Sequence, residues 1–174
     1  KKYDESKVFF EKLIKINKER YEGYLNLSNI HVIQGDFVNA NNLLKYYLLN
    51  IANNNEIVNA IANKLFNNKK NKELKNHIDL YLNEYSNHLL NYLKAYNLNL
   101  DNNSSDSIIF LKKSIKLKRD FWQSYELLFN IYDKKSMHTE MSKLLYDSKK
   151  IFLGSYKLLY FEALYNYRNL NFKL

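Results

Sequence analysis

The sequence predicts an all-α solenoid built from antiparallel helix pairs, and three observations predict it. The 174 residues include no proline and only three glycines, Gly23, Gly35 and Gly154. That composition disfavours a sheet-rich fold with many tight turns and suits long helices. Apolar residues make up 46% of the chain, enough for a core, and they recur at helical spacing. Finally, marked positions recur every 34 residues or so. One column falls at Tyr24, Val58, Asn91, Tyr125 and Leu159, in steps of 34, 33, 34 and 34. A second falls at Ser6, Ala40, Leu74, Ser107 and Met141, in steps of 34, 34, 33 and 34. Two independent columns share one period and one single-residue deletion, so the repeat stands although each copy is degenerate.

Residues 1–20 read as one amphipathic helix, with Val8, Phe9, Leu13, Ile14 and Ile16 on its apolar face. It matches the second helix (B) of a repeat whose first helix (A) is missing, as expected of a piece of something longer. Residues 21–54 are the fullest copy. Helix A runs to about Gln34, Gly35 can take the left-handed conformation that ends it, and Asp36 can cap helix B. In residues 55–87, helix A is EIVNAIANKLF and helix B ELKNHIDLYLNEY. The connector between them has no glycine, but its asparagines tolerate the left-handed geometry. In residues 88–121, LLNYLKAYNLNL is followed by the connector DNNSSD and by SIIFLKKSIKLK, with Asp106 as the expected N-cap. Residues 122–155 give the fourth copy, with TEMSKLLYDSKKIF as helix B. Residues 156–174 supply a lone helix A, with Leu158, Leu159, Phe161, Leu164 and Tyr165 in register to pack on a neighbour.

The fullest copy resembles a tetratricopeptide repeat (TPR) in Tyr24, Leu27, Ser28, the turn at Gly35, Ala40 and Leu44. Tyr125, Leu128 and Tyr132 stand where that pattern wants Trp, Leu and Tyr. The resemblance covers the whole chain as a degenerate array. It implies a right-handed superhelix whose A helices line a concave groove, each repeat buried mainly against its neighbours. The glycine usual after the Leu marker is Ser28, Ala62, Ala95, Phe129 and Ala163 in turn. In the fourth repeat both small sites are large, Phe129 and Met141, which predicts a splayed or rotated helix pair there. The proline expected near each repeat end is absent throughout.

No catalytic constellation is visible. The four histidines, His31, His77, His88 and His138, include no pair at metal-binding helical spacing. His31 occupies a packing column. There is no nucleophile elbow and no glycine-rich phosphate loop. Without cysteine there is neither a disulfide framework nor a thiolate metal site, which fits a reducing, cytoplasmic setting. No apolar run is long enough for a membrane span. The expectation is a protein without enzymatic activity, metal or cofactor in these residues.

In TPR arrays the fifth and ninth positions of each repeat face the ligand. The ninth positions here are Asn29, Asn63, Tyr96, Asn130 and Leu164, and the fifth are Leu25, Asn59, Tyr92, Glu126 and Tyr160. The asparagines resemble the ladder of the O-linked N-acetylglucosamine transferase superhelix, whose amides grip a peptide main chain. An amide side chain offers an acceptor and two donors, complementary to a peptide unit. Asn26 lies on the same face. The later repeats add Tyr167, with Arg168 nearby, to an aromatic stretch suited to peptide side chains or stacked bases. Phe161 fits the core better than the groove. The lysine needed for a chaperone-type carboxylate clamp is missing at every fifth position.

The net charge of +9 comes mostly from lysine, in company with abundant asparagine and tyrosine. That bias is what an AT-rich genome gives, so it carries little functional weight. The lysine clusters, including Lys112, Lys113, Lys116, Lys118 and Arg119, fall on connectors or B helices and read as solvated surface. The expected function is a protein-interaction scaffold that binds an extended peptide, as the recognition arm of a longer, transferase-type protein. RNA binding through the basic surface is the alternative. Self-association through the terminal helices is a further expectation.

Overall fold

The computed structural model describes residues 2–52 and 54–171. Among them are ten helices and no strand: α1 (Lys2–Ile16), α2 (Tyr21–Ile33), α3 (Phe37–Asn50), α4 (Asn55–Asn67), α5 (Asn71–Tyr81), α6 (His88–Leu100), α7 (Ser104–Leu117), α8 (Trp122–Lys134), α9 (His138–Lys149) and α10 (Tyr156–Asn171). In the expected scheme α2, α4, α6, α8 and α10 fall on the A-helix segments and α1, α3, α5, α7 and α9 on the B-helix segments. Packing divides the chain into two compact units, Lys1–Tyr81 and Leu82–Leu174.

In the first unit, α2 and α4 bury Tyr24, Leu27, Val58 and Ile61 against Ala40, Leu44, Leu74 and Ile78 of α3 and α5. The small-residue columns act where they were expected. The Ser28 hydroxyl of α2 donates to the Ala40 carbonyl of α3 at 2.8 Å, an approach that larger side chains would block. Tyr47 packs its ring on Tyr24 and donates its hydroxyl to the Glu19 carbonyl at 2.7 Å. A side chain at Gly23 would meet Ile14 Cγ1 at 2.9 Å, so glycine lets α1 lie against α2. The apolar face expected on α1 is only partly used. Leu13 and Ile14 are half-buried, but Val8, Phe9 and Ile16 are exposed, and α1 packs chiefly on α2.

In the second unit the reciprocal contact appears between α6 and α7, with the Ser107 hydroxyl donating to the Ala95 carbonyl at 2.8 Å. Ser114 donates to the His88 carbonyl at 2.7 Å and accepts from Ser124 at 2.8 Å, so buried hydroxyls satisfy one another. The core here is aromatic. Phe129 stacks on Phe161 of α10 at 4.6 Å, and Trp122 and Tyr125 meet Phe152 edge-on at 5.1 and 5.0 Å. The two large residues at the small sites, Phe129 and Met141, are both buried. Phe161 belongs to this core, as expected.

All four A–B connectors share one helix ending. Gly35, Lys69, Asn102 and Ser136 have positive φ, in steps of 34, 33 and 34. At each, the next residue's N–H returns to the carbonyl five residues back: Asp36 to His31, Lys70 to Leu65, Asn103 to Leu98 and Met137 to Tyr132, at 2.8–2.9 Å. This is the Schellman ending. The second connector thus places its left-handed residue at Lys69 and not at an asparagine. Helix α7 starts three residues before the expected point. Its cap is Asn103, whose side chain accepts from the Asp106 N–H and donates to the Asp106 carboxylate, so Asp106 is the third helical residue and not the cap. Helix α5 stops at Tyr81, four residues early. Asn83 and Glu84 are exposed, and continuing the helix through them would bury little.

Candidate functional site

The four asparagines expected in the first unit lie on its A helices. Asn26 and Asn29 on α2 and Asn63 on α4 are exposed, and Asn59 is half-buried. Adjoining A helices α2 and α4 are joined by a bond that the sequence did not announce. Lys64 Nζ donates to Asn29 Oδ1 at 2.9 Å. Burial holds the Lys64 amine below the ordinary lysine range. With its oxygen engaged, Asn29 has its NH₂ left to offer a ligand. Lys64 immediately follows the ninth position of its repeat, and its long side chain reaches back across the repeat boundary. The only sequence signal for it is that adjacency.

In the second unit, Tyr92 and Tyr96 stand one helical turn apart on α6, their rings 6.5 Å apart and both half-buried. Burial raises the Tyr92 phenol above its ordinary range, with smaller contributions from Tyr96 and the Glu126 carboxylate of α8. Tyr92, Tyr96 and Glu126 are therefore neighbours. Asn130 is exposed on α8. One turn further on, Asp133 takes both Nε and Nη2 of Arg168 from α10, each at 3.1 Å. This fork ties α10 to the A-helix side of α8. Tyr160 and Tyr167 of α10 are exposed.

Each unit thus presents the expected residues on its A helices: amides in the first, phenols with one amide and one carboxylate in the second. These groups can donate, accept and make apolar contact. Among the described residues no group of three His, Cys, Asp or Glu is placed to hold a metal. Among them, too, no helix is long and apolar enough to cross a membrane. His31 is half-buried and its Nδ1 lies 3.2 Å from Asp36 Oδ2, a packing and capping contact.

This architecture is that of the tetratricopeptide-repeat proteins. No family model matches the sequence, and no curated protein matches it. Solved structures do share the fold. YrrB, described as a TPR protein with an unusual peptide-binding site, aligns over 93% of this chain and 84% of its own, with a TM-score of 0.67 and 10% identity. MamA aligns over 92% and 89%, with a TM-score of 0.63 and 17% identity. PilF of Pseudomonas aeruginosa aligns over 93% and 90%, with a TM-score of 0.65 and 12% identity.

Proposed function

We propose that the chain is a non-enzymatic interaction scaffold that holds an extended peptide on its A-helix faces, with 21–54, 55–87, 88–121 and 122–155 as its repeats. In the first unit Asn26, Asn29, Asn59 and Asn63 supply main-chain contacts. In the second, Tyr92, Tyr96, Glu126, Asn130, Tyr160 and Tyr167 supply contacts for side chains. The observation that carries this reading is the Lys64–Asn29 bond, which aligns polar side chains of two successive A helices on an exposed face. The peptide-binding site named for YrrB, a protein of the same fold, supports the same reading.

The test is selection from a random peptide display library on the full chain, followed by affinity measurement of the selected peptides. A net hydrogen bond contributes about 0.5–1.5 kcal/mol. The pair Asn29→Ala and Asn63→Ala therefore weakens binding roughly five-fold to a hundred-fold while folding is kept, because both sites are exposed. Tyr96→Ala with Asn130→Ala reports on the second unit. Normal binding by both double variants removes the A-helix-face reading, and binding of an oligouridine RNA that is lost on added salt and on reversing Lys112, Lys113, Lys116 and Arg119 favours RNA.

A further inference from the structure

On the B-helix side of the second unit, basic residues from two helices converge on one groove. Lys112 and Lys116 rise from α7 at i and i+4, Arg119 lies in the turn just past the end of α7, Lys143 rises from α9, and Lys150 caps the C-terminal end of α9. Lys112 and Lys116 therefore share one face of α7. Between them lie two adjoining hollows of ≈ 450 and ≈ 440 Å³ that share Lys112, Ile115, Tyr125 and Asp147. The floor is Tyr125, Leu128 and Tyr132 of α8, with Ile115 and Leu144 on the walls. On α8 these floor residues stand away from Glu126 and Asn130, so this groove is separate from the A-helix face.

The charge is unbalanced. Five cations line the two hollows against two carboxylates, Glu140 and Asp147. Among the described residues none of the five is in an ion pair, and Lys150 lies over the ring of Tyr146 at 4.2 Å. Like charges gathered without counter-charge repel, and an anionic partner relieves that.

The chemistry of the lining selects among anions. Base stacking needs exposed aromatic faces, but Tyr125 and Tyr132 are only 2% and 3% exposed. A small anion has no use for an aliphatic floor. An amphipathic helix uses both features: apolar anchors fit the half-buried Ile115 and Leu144, and carboxylates beside them run alongside the cations on the two walls. We propose that the groove between α7 and α9 docks an acidic amphipathic helix of a partner protein, at a second site beyond the A-helix face.

The probe is a synthetic fluorescein-labelled helix of roughly 18 residues, long enough to hold helical structure, with leucines on one face and glutamates on both flanks. Controls are a scrambled peptide of the same composition and an oligouridine RNA of about 15 nucleotides. Binding to the full chain is read by fluorescence anisotropy at low and high salt. The acidic helix binds, and the scrambled peptide binds about ten-fold or more weakly, as loss of two or three rim contacts implies. Lys112→Glu with Lys116→Glu weakens the acidic helix by a similar factor, and so does Ile115→Ser. Asn29→Ala with Asn63→Ala changes nothing at this site. Circular dichroism checks each fold, and Lys112→Gln with Lys116→Gln replaces the reversed pair if that pair does not fold. Absence of binding, equal binding of the scrambled peptide, or normal binding by the charge variants overturns the proposal. So does RNA binding through the same cations that the acidic helix cannot displace.

Discussion

Single side chains in this molecule set charge states and hold neighbouring helices together. His77 of α5 is buried and its Nε2 donates to the Val58 carbonyl of α4 at 2.9 Å, with the Tyr81 ring 4.9 Å away. Burial is the main reason its pKa lies below the ordinary histidine range. Lys45 lowers it further and the Val58 bond opposes the shift. As pH falls through about 6.5 the unfolded chain takes up a proton that the native imidazole refuses, so stability drops until the native group also titrates. His88, depressed by burial and Lys118 against the pull of Asp120, acts in the same direction. Urea midpoints are therefore lower at pH 5.5 than at 7.5, and the difference shrinks in His77→Gln. An equal difference in the variant removes His77 from the account. None of this was legible in the sequence, where His77 is one polar residue among many on a helix rich in asparagine and lysine. Asn29 was legible as an exposed position on α2. Its Lys64 partner was not, because the two lie 35 residues apart and meet only when α4 packs beside α2.

Helices and their ends were largely legible because the 34-residue period constrains them from several sides at once. What the period leaves open is which residue takes the strained conformation. That choice follows from where the last helical carbonyls need partners, and the chain accepts Lys69 and Ser136 at φ 56 and 55 where glycine would be easier. A left-handed non-glycine residue costs roughly 1–2 kcal/mol, and glycine gives back about 0.5–1 kcal/mol in backbone entropy. Lys69→Gly and Ser136→Gly should each stabilise by about 0.5–1 kcal/mol. Gly35→Ala should destabilise by a similar amount through φ alone, since a Cβ there meets nothing within 4 Å. Denaturant midpoints with unchanged slopes are the measurement. A destabilising Lys69→Gly means that the lysine side chain contributes something beyond the turn. The expected cap at Asp106 failed for a related reason: Asn103 and Asp106 are both good cap residues three positions apart, and the Schellman ending before Asn103 decided between them.

For the molecule as a whole, stability in a stacked repeat fold is a sum of repeat and nearest-neighbour terms. The core of the second unit is unusually concentrated. Phe129 is fully buried, stacked on Phe161 and 6.4 Å from the Trp122 ring. The sequence marked Phe129 as a departure from a small-residue site. It could not reveal that the ring's partner is the aromatic of the next A helix, because that match is made by volume and not by spacing. Truncating such a ring costs about 3–5 kcal/mol, a loss that a nearest-neighbour fold does not spread evenly. In Phe129→Ala, hydrogen exchange should show protection falling in α8, α9 and α10. The amides of α2, α3 and α4, whose core of Tyr24, Leu44, Val58 and Ile61 belongs to the other compact unit, should keep theirs. The reverse variant, Ile61→Ala, should lower protection in α2–α5 and spare α8–α10. Equal loss across all helices in both variants would mean that the chain unfolds as one cooperative body, and the division at Tyr81 would then carry no energetic meaning.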